Sequence, residues 1–129
     1  MKRTSIVAVA VFAVSTITFV LLKAASMLAD REAAPAAILF ALGVASPFLP
    51  LLAAAVLART RAESAAALVG ILASAAFGFS VYLDGLVLRP RPLNALLFVV
   101  VPSVQWGIGL ATLLAEALLR LIGRARRAE

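Results

Sequence analysis

The chain has 129 residues, of which 64% are hydrophobic and only 14% charged, and its formal net charge is +6. Soluble domains carry roughly 45–50% apolar and about 25% charged residues, so a water-soluble fold of this length would lack the polar shell to hide its apolar segments. There is no Cys and no His, which excludes thiol redox chemistry, iron–sulfur and His-ligated haem centres, the commonest zinc sites, and Ser-His or Cys-His nucleophilic catalysis.

The basic residues cluster at the two ends and in short loops between apolar runs. Nucleic-acid binding would want a continuous basic face with interleaved aromatics, so no nucleic-acid partner is expected. Membrane lipids are, through their anionic headgroups. Neither an enzymatic activity nor a cofactor is expected.

Four stretches, Ser5–Leu22, Ala33–Ala58, Ser64–Leu83 and Pro92–Ala115, contain no Asp, Glu, Lys or Arg. Each approaches or exceeds the ~20 residues needed to cross a hydrocarbon core ~30 Å thick. The spacing predicts helices at about 5–29, 33–58, 64–88 and 92–122, with a basic C-terminal end at 120–129. Loops this short force neighbours to run antiparallel. The expected fold is all-α: one transmembrane domain over 1–129, an integral membrane four-helix bundle running up-down-up-down, its second and fourth helices kinked by proline.

The first segment has the outline of a signal peptide, with Met1-Lys2-Arg3 before an apolar run and Ala24-Ala25-Ser26 as a small-residue site. The run Ile6–Leu22 nevertheless exceeds the roughly 7–15 residues of a signal core, and Lys23 intrudes, so it reads as a retained span. Before the second segment, Asp30 and Glu32 suit the positive N-terminal end of a helix that opens at Pro35. Within it, Pro47 and Pro50 predict a kink near Gly43–Ser46, and Pro102 predicts another near Phe98 in the fourth. Ser46 and Ser103 are the candidates to satisfy the carbonyls so released. Ser64 reads as the cap of the third helix, and Arg89-Pro90-Arg91-Pro92 as a rigid turn.

With four crossings both termini share a side. Lys2, Arg3, Arg59, Arg61, Arg120, Arg124, Arg126 and Arg127 would then lie together, against Lys23, Arg31, Arg89 and Arg91. The positive-inside rule puts the larger set, and both termini, in the cytoplasm. An Ala-, Leu-, Val- and Arg-rich composition suits a GC-rich bacterial genome, so the expected location is the bacterial cytoplasmic (inner) membrane.

Polar groups at depth are the candidate intramembrane site: Asp84 near the outer end of the third helix, and the pair Gln105-Trp106 in the fourth. Trp106 lies about fourteen residues in from Pro92, ~21 Å at 1.5 Å per residue, deeper than the interfacial belt that Trp prefers. Gln105 needs partners away from water, and a bond between helices is the plainest way to supply one. An ion pair with Arg89, Arg91 or Lys23 is the plainest account of Asp84.

Small residues recur every four positions as Ala66, Gly70, Ser74 and Gly78 in the third helix and as Ser103, Gly107, Ala111 and Ala115 in the fourth. They are candidate faces for helix packing, or for another membrane protein or a second copy of the chain. Arg120, Arg124 and Arg127 follow Glu116 along one face and are expected at lipid headgroups. The four short spans resemble small multidrug transporters in architecture. Those proteins carry a carboxylate in the middle of the first helix, where this chain has only Ser15, Thr16 and Thr18. The functional expectation is a non-catalytic accessory or interaction subunit that binds another membrane component; the alternative is an oligomeric small-solute or ion transporter or channel.

Overall fold

The computed structural model describes residues 2–23, 29, 31–32, 34–89 and 96–128, and these are almost entirely helical. Helix α1 spans Lys2–Lys23, α2 Ala34–Ala45, α3 Phe48–Leu57, α4 Arg61–Tyr82 and α5 Leu97–Ala128. A π-helical stretch, Leu83–Leu88, continues α4. Helices α1, α4 and α5 are each long and apolar enough to cross a membrane, whereas α2 and α3 meet that measure only together, across a 42° bend. Every helix leaves large apolar side chains exposed, among them Leu22, Leu39, Leu49, Phe79 and Leu114. Apolar surface spread over all sides suits lipid and would be an aggregation liability in water.

The elements begin and end where local chemistry dictates. α4 starts a turn earlier than its apolar stretch, and Thr60, not Ser64, is its cap. Thr60-x-x-Glu63 is a capping-box pattern: Thr60 Oγ1 accepts from the Glu63 N–H at 3.2 Å, and Glu63 Oε2 accepts from the Arg59 N–H at 2.8 Å. Ser64 is already inside the helix, its N–H donating to Thr60 O at 3.0 Å. α1 ends at Lys23 and Ala29 is a turn residue, with 24–28 outside the described residues. Pro35 stands in the first turn of α2, where a backbone N–H would have no helical partner to lose. The turn expected at Arg89–Pro92 lies outside the described residues except for Arg89, as do residues 92–95. At its far end α5 continues past 122 to Ala128.

The α2–α3 break falls at Ser46–Pro47. Pro47 has no N–H to offer the Gly43 carbonyl four residues back. Ser46 supplies two donors in its place, its N–H at 3.3 Å and its hydroxyl at 2.7 Å. Pro50 withdraws a donor from the Ser46 carbonyl, and the Leu49 N–H takes that place at 3.0 Å. Pro102 is different: α5 runs through it without interruption. Ser103 Oγ donates at 2.7 Å to Val99 O, its own i−4 carbonyl, rather than to Phe98 O, which Pro102 leaves.

Packing is closest between α4 and α5. Gly70 lies against Thr112 and Gly78 against Gln105, so tightly that a Cβ at Gly78 would stand 2.5 Å from Gln105 Nε2. Gly109 likewise presses on α3, where a Cβ would meet Pro50 Cγ at 2.7 Å. Ser5 Oγ donates to Ser64 O at 3.5 Å, and Arg120 donates to Leu57 O at 2.8 Å. The starts of α1 and α4, the end of α3 and the last turns of α5 therefore share one end of the molecule. Nearby, Val9, Phe48, Leu51, Ala55 and Ile71 form one apolar cluster. Val20, Ala41, Val44, Tyr82 and Val101 form the other, toward the opposite end, where the Phe98 ring meets Phe40 edge-on at 4.8 Å and Tyr82 at 5.5 Å.

This close seam makes a testable prediction. Gly70→Leu should force α4 from α5 and destabilise the detergent-solubilised protein by about 1–3 kcal/mol, the usual cost of overpacking. Gly43→Ala and Gly107→Ala, where an added Cβ meets nothing within 4 Å, should be neutral or slightly stabilising. Thermal melting of the three variants checks it, and equal melting points would show that the seam is not tight.

Candidate functional site: a cavity between α1 and α4

α1 and α4 do not close completely on each other. Between them lies a cavity of about 420 Å³, completed by Phe48 of α3 and Gln105 of α5. Its volume is within the roughly 300–1,000 Å³ range of small-molecule sites, which are mostly apolar with a few placed polar groups. The polar lining consists of Ser15 and Thr16 from α1, Tyr82 from α4 and Gln105 from α5. Apolar walls come from Val11, Phe12, Phe19, Ala75 and Phe79. Leu83 and Val87 of the π-helical stretch extend the wall, four residues apart on the widened turn. Such turns recur at functional sites. Among the described residues, no Asp, Glu, Lys or Arg lines the cavity.

Gln105 is buried and its Nε2 donates to the Ser74 carbonyl of α4 at 3.0 Å. The expected bond between helices is therefore present, and it uses only half of the amide. Gln105 Oε1 has no hydrogen-bond partner among the described residues, nor do Tyr82 OH and Ser74 Oγ. Buried polar atoms left unpaired cost of the order of 1–3 kcal/mol each, and these atoms are enclosed by the protein with almost no accessible surface of their own.

Trp106 points elsewhere. Its indole N–H donates to Ser46 Oγ at 3.0 Å, and that hydroxyl in turn donates to Gly43 O. The deep Trp thus ties α5 to the α2–α3 break. Asp84 does not line the cavity: it sits in the π-helical stretch, largely exposed, 3.7 Å from Arg89 Nε. Of the three polar residues singled out in the sequence, only Gln105 belongs to the cavity.

The two small-residue stripes part company. On α4, Gly70, Ser74 and Gly78 are buried against α5, with Ala66 half-buried beside them. On α5, Ser103, Gly107, Ala111 and Ala115 are exposed. The packed face of α5 is instead Val101, Gln105, Gly109, Thr112 and Glu116, offset from the small stripe by about two residues, or some 200° around the helix.

At the end of the molecule shared by the starts of α1 and α4, Arg120 folds inward. Its Nε is 3.0 Å from Glu63 Oε2 and its Nη2 is 3.2 Å from Glu116 Oε2. Both carboxylates are nearly inaccessible, at 2% and 1% exposure. Arg120 is therefore a structural clamp joining α3, α4 and α5, where a headgroup contact was expected. Arg124 is exposed, and the side chain of Arg127 lies outside the described residues. Glu63 was not among the expected site residues. Its signal was the Thr60-x-x-Glu63 pattern, which identifies a cap but cannot reveal that Arg120, 57 residues away, shares the carboxylate.

The clamp carries a second prediction. Arg120→Met would leave two buried carboxylates without their cation and should lower stability by about 3 kcal/mol, as for a broken buried pair. Arg124→Met should change it by less than about 0.5 kcal/mol. Melting in detergent separates the two, and a harmless Arg120→Met would refute the clamp.

No family model matches the chain, no curated protein matches its sequence and no solved structure matches its fold.

Proposed function

We propose that the chain is an integral membrane protein of four spans that binds another membrane component without transforming it. In this reading α2 and α3 form one span broken at Pro47, and the four spans run up-down-up-down. Its support is the sharing of one end by the starts of α1 and α4 and the ends of α3 and α5. Arg3, Arg59, Arg61, Arg124 and Arg126 lie toward that end, while Arg31 and Arg89 lie toward the other. By the positive-inside rule the termini are cytoplasmic, in a bacterial inner membrane, with Arg124 and Arg127 at its headgroups.

The observation that carries the binding role is the cavity itself. It is walled by apolar side chains, with Ser15 and Thr16 of α1 as polar groups in its lining. No carboxylate or amine among the described residues lines it, which argues against a cation-coupled path through it and against acid–base chemistry in it.

The test is to extract the full chain in mild detergent and identify by mass spectrometry what accompanies it. A lipid or other small membrane component in near-stoichiometric amount, lost on Ser15→Phe, is the expected result. A protein companion that survives Ser15→Phe would move the binding surface to the exposed α5 stripe. Solute flux in proteoliposomes that Ser15→Phe abolishes would replace binding with transport.

A further inference from the structure

We infer that Glu116 is a proton-binding site: its carboxyl takes up and releases a proton, and that proton holds the last turns of α5 against α3 and α4. The site lies at the end of the molecule shared by the starts of α1 and α4. It has no residue in common with the cavity lining and does not depend on what the cavity binds.

The charges in this cluster do not balance. Glu63 and Glu116 are almost completely buried, at 2% and 1% exposure, and one guanidinium serves both. Arg120 Nε stands 3.0 Å from Glu63 Oε2, and Nη2 stands 3.2 Å from Glu116 Oε2. Among the described residues no second cation pairs with either carboxylate. α2 and α3 contain no ionisable side chain, and α3 offers only the Leu57 carbonyl, which accepts from Arg120 Nη2 at 2.8 Å. Arg3 of α1, Arg59 before α4, Arg61 at its start and Arg124 of α5 are all exposed. Two ionised carboxylates on one guanidinium would leave an excess negative charge where a bare charge costs far more than a neutral group.

The hydrogen bonds decide which carboxyl takes the proton. Both oxygens of Glu63 are already met by donors. Oε2 accepts from the Arg59 N–H at 2.8 Å and from Arg120, and Oε1 accepts from the Thr60 hydroxyl at 3.2 Å. A proton added to Glu63 would point at one of these donors. Glu116 accepts one bond, at Oε2. Its Oε1 has no partner among the described residues and almost no accessible surface, so neither a water nor a metal ion has room to touch it. A proton needs no such room. Added to Oε1, it turns a half-paired anion into a neutral acid. The Arg120 side chain, 30% exposed, is the opening through which the aqueous phase reaches the cluster.

Uptake and release therefore set the strength of the joint. With the proton bound, Arg120 and Glu63 cancel. With it gone, two like charges share one cation inside the contact of three helices, and the contact loosens. The folded protein then holds a proton that the unfolded chain releases above the ordinary Glu value of about 4.3. The native state binds more protons above that value, so stability falls as pH rises.

The experiment titrates the full-length protein in detergent by infrared spectroscopy, following the carbonyl stretch of protonated carboxyl groups. The range is about pH 5.5 to pH 9, above that in which exposed Asp and Glu ionise. The wild type should show a band that bleaches within this range, and Glu116→Gln should lack it. Glu63→Gln, which leaves Arg120 to Glu116 alone, should move the bleaching to at least about tenfold higher proton concentration. The chain has no Cys, so spin labels attached through Ala62→Cys and Arg124→Cys report on the joint. Their separation should widen as the band bleaches and should stay constant when Glu116→Gln is added. The wild-type melting point should fall by about 4 °C or more over the same range, and Glu116→Gln should lose that dependence. The absence of any bleaching band, a band that Glu116→Gln leaves in place, or a label separation that ignores pH would overturn the assignment.

Discussion

The seam between α4 and α5 is where close backbone approach replaces the hydrophobic effect. In hydrocarbon, burying one apolar side chain against another gains little over burying it in lipid, so helices associate through van der Waals contact and hydrogen bonds between near backbones. Gly70 against Thr112 and Gly78 against Gln105 provide that approach. It is also what lets the Gln105 amide reach a main-chain carbonyl on α4. Without Gly78 on α4 the side chain of Gln105 would have no room there. Loss of that bond would leave an amide with four unmet hydrogen-bonding positions inside the bundle.

The same seam explains the cavity. α4 is held toward α5 by its small residues, and those cover only the face turned to α5. On its other side, Ala75, Phe79 and Tyr82 face α1, whose polar groups at that level are the short Ser15 and Thr16. Small or widely spaced side chains there leave a gap that the bulkier Phe12, Phe19 and Phe48 only partly fill.

Polar side chains secure the rest of the frame at two levels. At the broken helix, Ser46 answers a carbonyl deprived of its donor by Pro47, and Trp106 anchors Ser46 from α5. A proline break in a non-aqueous setting needs such a substitute, because no water is at hand to supply one. At the end shared by the starts of α1 and α4, Arg120 bridges Glu63, Glu116 and the Leu57 carbonyl. Three helices meet there, and each contributes a group that would be costly to bury alone. Glu63 serves twice, as the acceptor for the Arg59 N–H ahead of α4 and as an anion for α5.

The all-helical class and the apolar lengths capable of crossing a membrane were legible in the residues alone, because they follow from hydropathy and helix rise. Gln105, too, was marked there as a residue in need of a partner. Which face of each helix is used became visible only in three dimensions. The repeat of small residues was equally clear on the third and fourth segments, yet only Gly70, Ser74 and Gly78 are packed, while Ser103, Gly107 and Ala111 look outward. Rotation of a helix that is apolar all round is set by contacts with its neighbours, and a stripe carries no label saying whether a partner meets it. For the same reason Arg120 could be placed on a basic face but not beside Glu63: that pairing depends on a distance between segments, which no local pattern encodes.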